Sequence, residues 1–273
     1  MGRLVRAESI KLFAQPFLYV CLTLIAAGTV AGALIFSAMQ SRKPTAWGTL
    51  HAVQLFGAGW QVGALLSTLV LVIFSSMLFA GEFDRGTIKV LLTRPITRTE
   101  LFLAKVVTVI GVAGVLLGFT LFVSLTWALG NGALGPVWDD TVYYTHLDAS
   151  VIESHAVRAV GVGLLSFLAA GFLGLFVSTW TESSGFAVAF ALILFLFGYF
   201  LTGLLGGESS QEKLFFHYIP YAADKLKELA GGGSTRWSPR IVEDAVHIKV
   251  PLVYIALFVP AAYGLFRSKN IHA

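Results

Sequence analysis

The chain has 273 residues, 56% of them hydrophobic and only 12% charged, with 22 Phe, 28 Gly and a formal net charge of +4. A water-soluble domain carries about 25% charged residues, so half that share excludes an ordinary soluble globular protein. The small net charge gives no sign of nucleic-acid binding, and the single cysteine, Cys21, excludes an internal disulfide.

The 19 Lys and Arg and the 15 Asp and Glu all fall outside six long apolar runs. Those runs lie between Lys11 and Arg42, Lys43 and Glu82, Lys105 and Asp139, Arg158 and Glu182, Glu182 and Glu208, and Lys249 and Arg267. A helix crosses the hydrocarbon core of a bilayer in about 20 residues. Every run but the last exceeds that length, and the last reaches its lower limit. The fold class expected is an all-α membrane protein with six transmembrane helices.

In chain order, residues 1–16 set Arg3, Arg6, Glu8 and Lys11 among Leu4, Val5, Ile10, Leu12 and Phe13, with Pro16 closing the segment. This mixture predicts an amphipathic helix lying in the membrane interface. A cleaved signal peptide is not expected, because the following apolar stretch is too long and lacks a small-residue cleavage site. Residues 17–273 read as one six-span transmembrane domain, with spans at 17–39, 61–80, 106–129, 159–180, 185–205 and 250–266. Residues 44–60 are apolar but broken by Gly57 and Gly59, and either extend the second span or lie at the outer surface.

Residues 81–105 form a loop of alternating charged and apolar residues. Residues 130–158 carry Asp139, Asp140, Asp148 and Glu153, with Trp138, Tyr143 and Tyr144 suited to the headgroup region. In residues 208–249, segments 214–219 and 222–230 predict short amphipathic helices before a Gly231-Gly232-Gly233-Ser234 break.

Basic residues near span ends favour the cytoplasmic side. With the N-terminus inside, that side holds Arg3, Arg6, Lys11, Arg85, Lys89, Arg94, Arg98, Lys105, Arg267 and Lys269, against Arg42, Lys43 and Arg158 in the short outer loops. The expected location is the plasma (inner) membrane with both termini cytoplasmic.

The six predicted spans hold no ionisable carboxylate, Lys or Arg, which disfavours a proton- or ion-coupled carrier. There is no Gly-x-Ser-x-Gly nucleophile, no Gly-x4-Gly-Lys-Ser/Thr phosphate loop and no His spacing suited to a metal. The chain is expected to be non-catalytic and to hold no cofactor of its own. If it moves a solute uphill, ATP is hydrolysed on another chain that pushes on a cytoplasmic feature of this one.

The 81–105 loop is the largest such feature. Gly86 permits a sharp departure from the second span. Residues 87–93 have helical spacing, with Ile88, Leu91 and Leu92 on one face and Lys89 on another. Pro95 stops that helix, because the residue before a proline resists the α region. Thr97 or Thr99 can cap the next helix, with Glu100 in its first turn. The outcome is a short surface helix offering an apolar knob in a charged collar to a soluble partner.

This stretch resembles the permease subunits of type 2 ATP-binding-cassette (ABC) transporters. The likeness rests on Glu82, Gly86-Thr87-Ile88, Leu91-Leu92, Pro95-Ile96-Thr97-Arg98 and Lys105. It implies a coupling helix between spans 2 and 3 that docks on a separate ATPase, through Glu82, Asp84, Arg85, Gly86, Thr87, Ile88, Leu91, Leu92, Pro95 and Arg98. It also implies ATP and Mg on that partner, a second permease copy or paralogue, and amphipathic or re-entrant helices before span 6. The expected activity is export, and the charge-free spans suit an apolar, amphipathic or lipid-linked substrate, with a polar substrate held by Ser, Thr and Gln side chains left open. Two rival functions stay open: an ATPase-driven force transmitter acting on an extracytoplasmic partner, and a channel or ATP-independent carrier.

Four glycine pairs, Gly28/Gly32, Gly59/Gly63, Gly114/Gly118 and Gly203/Gly207, have the spacing that lets membrane helices pack closely. Phe186, Phe190, Phe195, Phe197 and Phe200 crowd the fifth span, as a lipid-facing surface or an apolar substrate path. Arg85, Lys89, Arg94 and Arg98 are also placed to meet anionic headgroups of the lipid bilayer.

Overall fold

In a computed structural model, the protein is described at residues 10, 14, 16–40, 52–88, 97–132, 137–139, 145–147, 149–204, 212–230 and 246–269. The helices are α1 (Pro16–Gln40), α2 (Ala52–Asp84), α3 (Arg98–Asn131), α4 (Ala149–Trp180), α5 (Ser184–Leu204), α6 (Tyr218–Ala230) and α7 (Val246–Ser268). All but α6 contain a segment long and apolar enough to cross a membrane, six in total. Helices are required there, because a bilayer offers no partners and each segment must satisfy its own backbone. A short antiparallel pair, β1 (Val137–Asp139) and β2 (Thr145–Leu147), joins α3 to α4 with Trp138 opposite His146. It is a small addition to an otherwise helical architecture.

Four of the helices, α2, α3, α4 and α7, run past the charges that bound their apolar intervals, while α1 and α5 end within theirs. α2 absorbs residues 52–60, so that apolar stretch extends the second span. α3 and α4 run to 34 and 32 residues. Of residues 1–16, where the interfacial helix is predicted, only Ile10, Ala14 and Pro16 are described; Ala14 N–H donates to Ile10 C=O at 3.0 Å, and Pro16 opens α1.

α2 is the central helix, packed on α1, α3, α4, α5 and α6, while α7 lies chiefly along α4. Small residues bring these helices together. A side chain at Gly32 would strike Val62, and one at Gly63 would strike Thr29 and Thr120, so α1 and α3 meet α2 at van der Waals distance. The interior hydroxyls are satisfied locally. Thr29, Thr68, Thr108 and Thr120 each donate to the carbonyl four residues earlier. Ser67 and Thr120 share a 2.6 Å bond across α2 and α3. By contrast, Phe186, Phe197 and Phe200 on α5, like Leu252, Val253 and Leu257 on α7, are exposed on the outside of the chain. Phe195 is the exception on α5, fully buried against Phe216.

Candidate functional site: the end plate joining α2, α3 and α7

α2 ends in a glycine cap. Arg85 N–H donates to Gly81 C=O at 3.3 Å and Gly86 N–H to Phe83 C=O at 3.0 Å. Gly86 sits at φ +65°, the left-handed conformation that a glycine adopts without strain. The chain thereby leaves α2 sharply, and Thr87 and Ile88 begin a further helical turn.

α3 opens with a reciprocal cap. The Glu100 N–H donates to Thr97 Oγ1 at 3.2 Å, and Thr97 N–H donates to Glu100 Oε2 at 3.0 Å. Two donors that a helix start leaves orphaned are thus both satisfied. Geometry selects Thr97 as the cap. Thr99 instead shares a 2.9 Å hydroxyl bond with Tyr263 of α7.

Between the two caps lies a buried ion pair. Lys105 Nζ donates to Glu82 Oε1 at 2.5 Å, and the residues are 1% and 4% exposed. Lys105 also lies 6.0 Å from the Phe79 ring centre. Phe79 packs on Phe266 and Phe102, with centroids 4.7 and 6.1 Å apart, and Phe102 meets Tyr263 edge-on. Charges in such a place hold only when paired, so the pair fixes the register of α2 against α3.

The end of α7 closes the plate. Arg98 Nη1 donates to the carbonyls of Arg267 and Lys269, both at 3.1 Å, where the negative end of the helix dipole favours a cation. Lys269 Nζ lies 4.1 Å from the Phe83 ring centre and within 3.5 Å of Glu182 and of the carbonyls of Thr179 and Thr181. Ser184 Oγ, at the start of α5, donates to Asp84 Oδ2 at 2.5 Å. Five helix ends are therefore tied into one unit.

The ten residues singled out from sequence divide as follows. Arg85, Gly86 and Thr87 are exposed, and Asp84 is exposed while bonded to Ser184. Glu82 and Ile88 are buried, Ile88 in the same apolar cluster as Phe79, Leu101 and Phe102. Arg98 is half-buried and engaged with α7. Leu91, Leu92 and Pro95 lie outside the described residues. Sequence reasoning did not find Lys269, Tyr263, Ser178 or Ser184, which reach the plate from 80 or more positions away, beyond the reach of any local pattern.

At the opposite end, α6 lies over the first turns of α2. Gln61 Nε2 donates to Asp224 Oδ1 at 2.9 Å, and Lys227 Nζ reaches both Gln61 Oε1 at 2.5 Å and Asp224 at 2.6 Å. Gly57 admits the α6 backbone, since a Cβ there would stand 2.9 Å from Ala223 C=O. Burial, reinforced by Glu212 and Tyr221, pushes the Tyr218 phenol well above its ordinary range, and its hydroxyl donates to Glu212 C=O. α6 supplies one of the short amphipathic helices expected before the last span.

Six apolar crossings, with an end plate built from the loop between the second and third, meet a matching comparison. The family model described as "ABC-2 family transporter protein" matches residues 4–198. The chain belongs to the ABC-2 transporter family. A curated protein similar to this ABC-2 chain is the uncharacterized protein YhcI of Bacillus subtilis (strain 168), 25% identical over 220 residues. The match covers 76% of this chain and 65% of that protein, so the ABC-2 chain spans slightly less than two thirds of its relative's length. The family match extends over α1 to α4 and most of α5, and includes the whole of the α2–α3 loop.

Proposed function

We propose that this protein is the permease of an ATP-driven exporter, working as a pair of permeases with a separate ATPase that carries ATP and Mg. The observation that carries this reading is the end plate. Glu82, Lys105, Arg98 and Lys269 lock the ends of α2, α3 and α7 into one body, and the loop between α2 and α3 starts and finishes in it. A push on that loop moves these helix ends together, as one block.

Within this reading, Asp84, Arg85, Thr87, Leu91, Leu92 and Pro95 meet the ATPase, while Glu82, Gly86, Ile88 and Arg98 hold the loop in shape. Some of the loop's basic residues anchor to anionic headgroups. The loop faces the cytoplasm of a plasma-membrane protein with both termini inside. Thr29, Thr68, Thr108 and Thr120 donate to their own helices, and Ser67 and Ser124 bond within the same chain, which supports a path for an apolar or lipid-linked substrate between two copies.

Co-purification tests it directly. An ATP-binding-cassette ATPase should co-purify with the wild type and be lost from Leu91→Asp and from Gly86→Pro, since proline fixes φ near −65° where +65° is needed. Retention by both variants would remove the dock from this loop. A second reading, force transmission to an external partner without transport, is favoured by the α6 cover and the β1–β2 hairpin at the other end. It predicts ATP hydrolysis without solute flux in reconstituted vesicles.

A further inference from the structure

We propose that Ser178 is a positioning residue for the coupling stroke: its hydroxyl holds a loosened turn of α2 at residues 75–80, about which the helix end bends together with the start of α3. The role in coupling rests on the function proposed above for residues 81–105; the loosened turn does not.

Two consecutive amides of α2, Phe79 N–H and Ala80 N–H, donate to Ser178 Oγ at 2.8 and 3.0 Å. In a regular helix they would point along the axis at the carbonyls of Ser75 and Ser76. Here they are turned toward α4. Phe79, Ala80 and Ser178 are all fully buried, and an apolar interior offers such amides no water. Ser178 is the acceptor that makes the turn tenable.

Two features of the same stretch favour loosening. Ser75 and Ser76 donate their hydroxyls to the carbonyls of Val72 and Ile73 at 3.2 and 2.7 Å, a back-bonding pattern that bends helices. Opposite them, Gly174 brings the α4 backbone so close that a Cβ would collide with Ser75 and stand 2.8 Å from Val72 C=O. A side chain inserted against the i→i−4 ladder is among the known causes of a kink.

What lies beyond this turn is tied to its neighbours. Glu82 is held by Lys105, Asp84 by Ser184, and the Phe83 ring lies against Lys269. Soft turn and stiff block together make a lever whose pivot Ser178 sets.

The test is hydrogen–deuterium exchange on the full-length chain in phosphatidylethanolamine/phosphatidylglycerol nanodiscs. Ser178→Ala should speed amide exchange in residues 77–84 at least about tenfold, as the loss of two buried bonds predicts, and leave residues 62–72 unchanged. Ser178→Thr should restore the wild-type rate. Ser166→Ala, which removes a buried hydroxyl bonded within α4 to Val162 C=O, should change nothing in α2. Wild-type rates in Ser178→Ala, or acceleration spread evenly over the chain, would overturn the loosened turn. In complex with the ATPase, trapping with ADP and vanadate should raise exchange in 77–84 of the wild type, and a flat response would overturn the role in coupling. If no ATPase co-purifies with the wild type, the coupling role falls with the proposed function, while the nanodisc comparison still decides the turn.

Discussion

Glu82 and Lys105 show how much a single contact adds to what the chain displays locally. Each residue is visible in sequence as the charge that bounds an apolar run. Their burial and their pairing, 23 positions apart, are not. Removing one partner leaves an uncompensated buried charge, so Lys105→Met or Glu82→Leu alone should each lower stability by about 3 kcal/mol. The double variant should recover most of that loss, because two apolar groups in place of an ion pair leave nothing unpaired. Thermal unfolding of the three detergent-purified variants checks this, and an undiminished loss in the double variant would count against the pair as the cause. Other residues were legible beforehand. Gly86 reads as a sharp departure and sits at φ +65°. The cap of α3 reads as Thr97 or Thr99, and only the Glu100 geometry separates them. Ile88 is the counter-example: helical spacing puts it on an apolar face, but the core of the chain itself buries that side chain.

At the scale of elements, charge-free runs locate where the chain crosses hydrocarbon, and they do not locate where the helices end. α4 begins at Ala149, ten residues before the predicted span, because a helix can continue past the charge that ends an apolar run. The glycine pairs are identical as patterns and different in fact. Gly63 is enclosed by Thr29 and Thr120, with a would-be Cβ 2.6 Å from Thr120 Cγ2, whereas Gly114 and Gly118 face open space. Gly63→Val should therefore destabilise the protomer by about 2 kcal/mol through overpacking, and Gly114→Val should leave its melting temperature within error. Equal effects at the two sites, measured by thermal shift in the same detergent, would refute this assignment of faces. Spacing cannot tell the sites apart, since small residues three or four apart occur on every face of a membrane helix.

For the whole molecule, the distribution of Lys and Arg predicts that the α2–α3 loop lies inside and the α1–α2 loop outside. In a Cys21→Ser background, Arg85→Cys should react with a membrane-impermeant maleimide in inverted vesicles and not in intact cells, and Lys43→Cys should do the reverse. The opposite labelling would invert the topology and take the coupling reading with it. The sequence by itself determined that this is a six-span helical membrane protein of the ABC-2 type and which loop stands apart from the others. Both properties arise from composition along the chain: a bilayer sorts charge from hydrocarbon residue by residue, and a glycine or a cap acts within one turn. Only the tertiary structure decided that α2 lies at the centre, that Glu82 meets Lys105, that Arg98 closes α7 and that Ser178 holds a turn of α2. Those are meetings of distant segments within a uniformly apolar interior, where hydrophobic pattern looks alike on every side and the choice of partner falls to steric fit and hydrogen bonding.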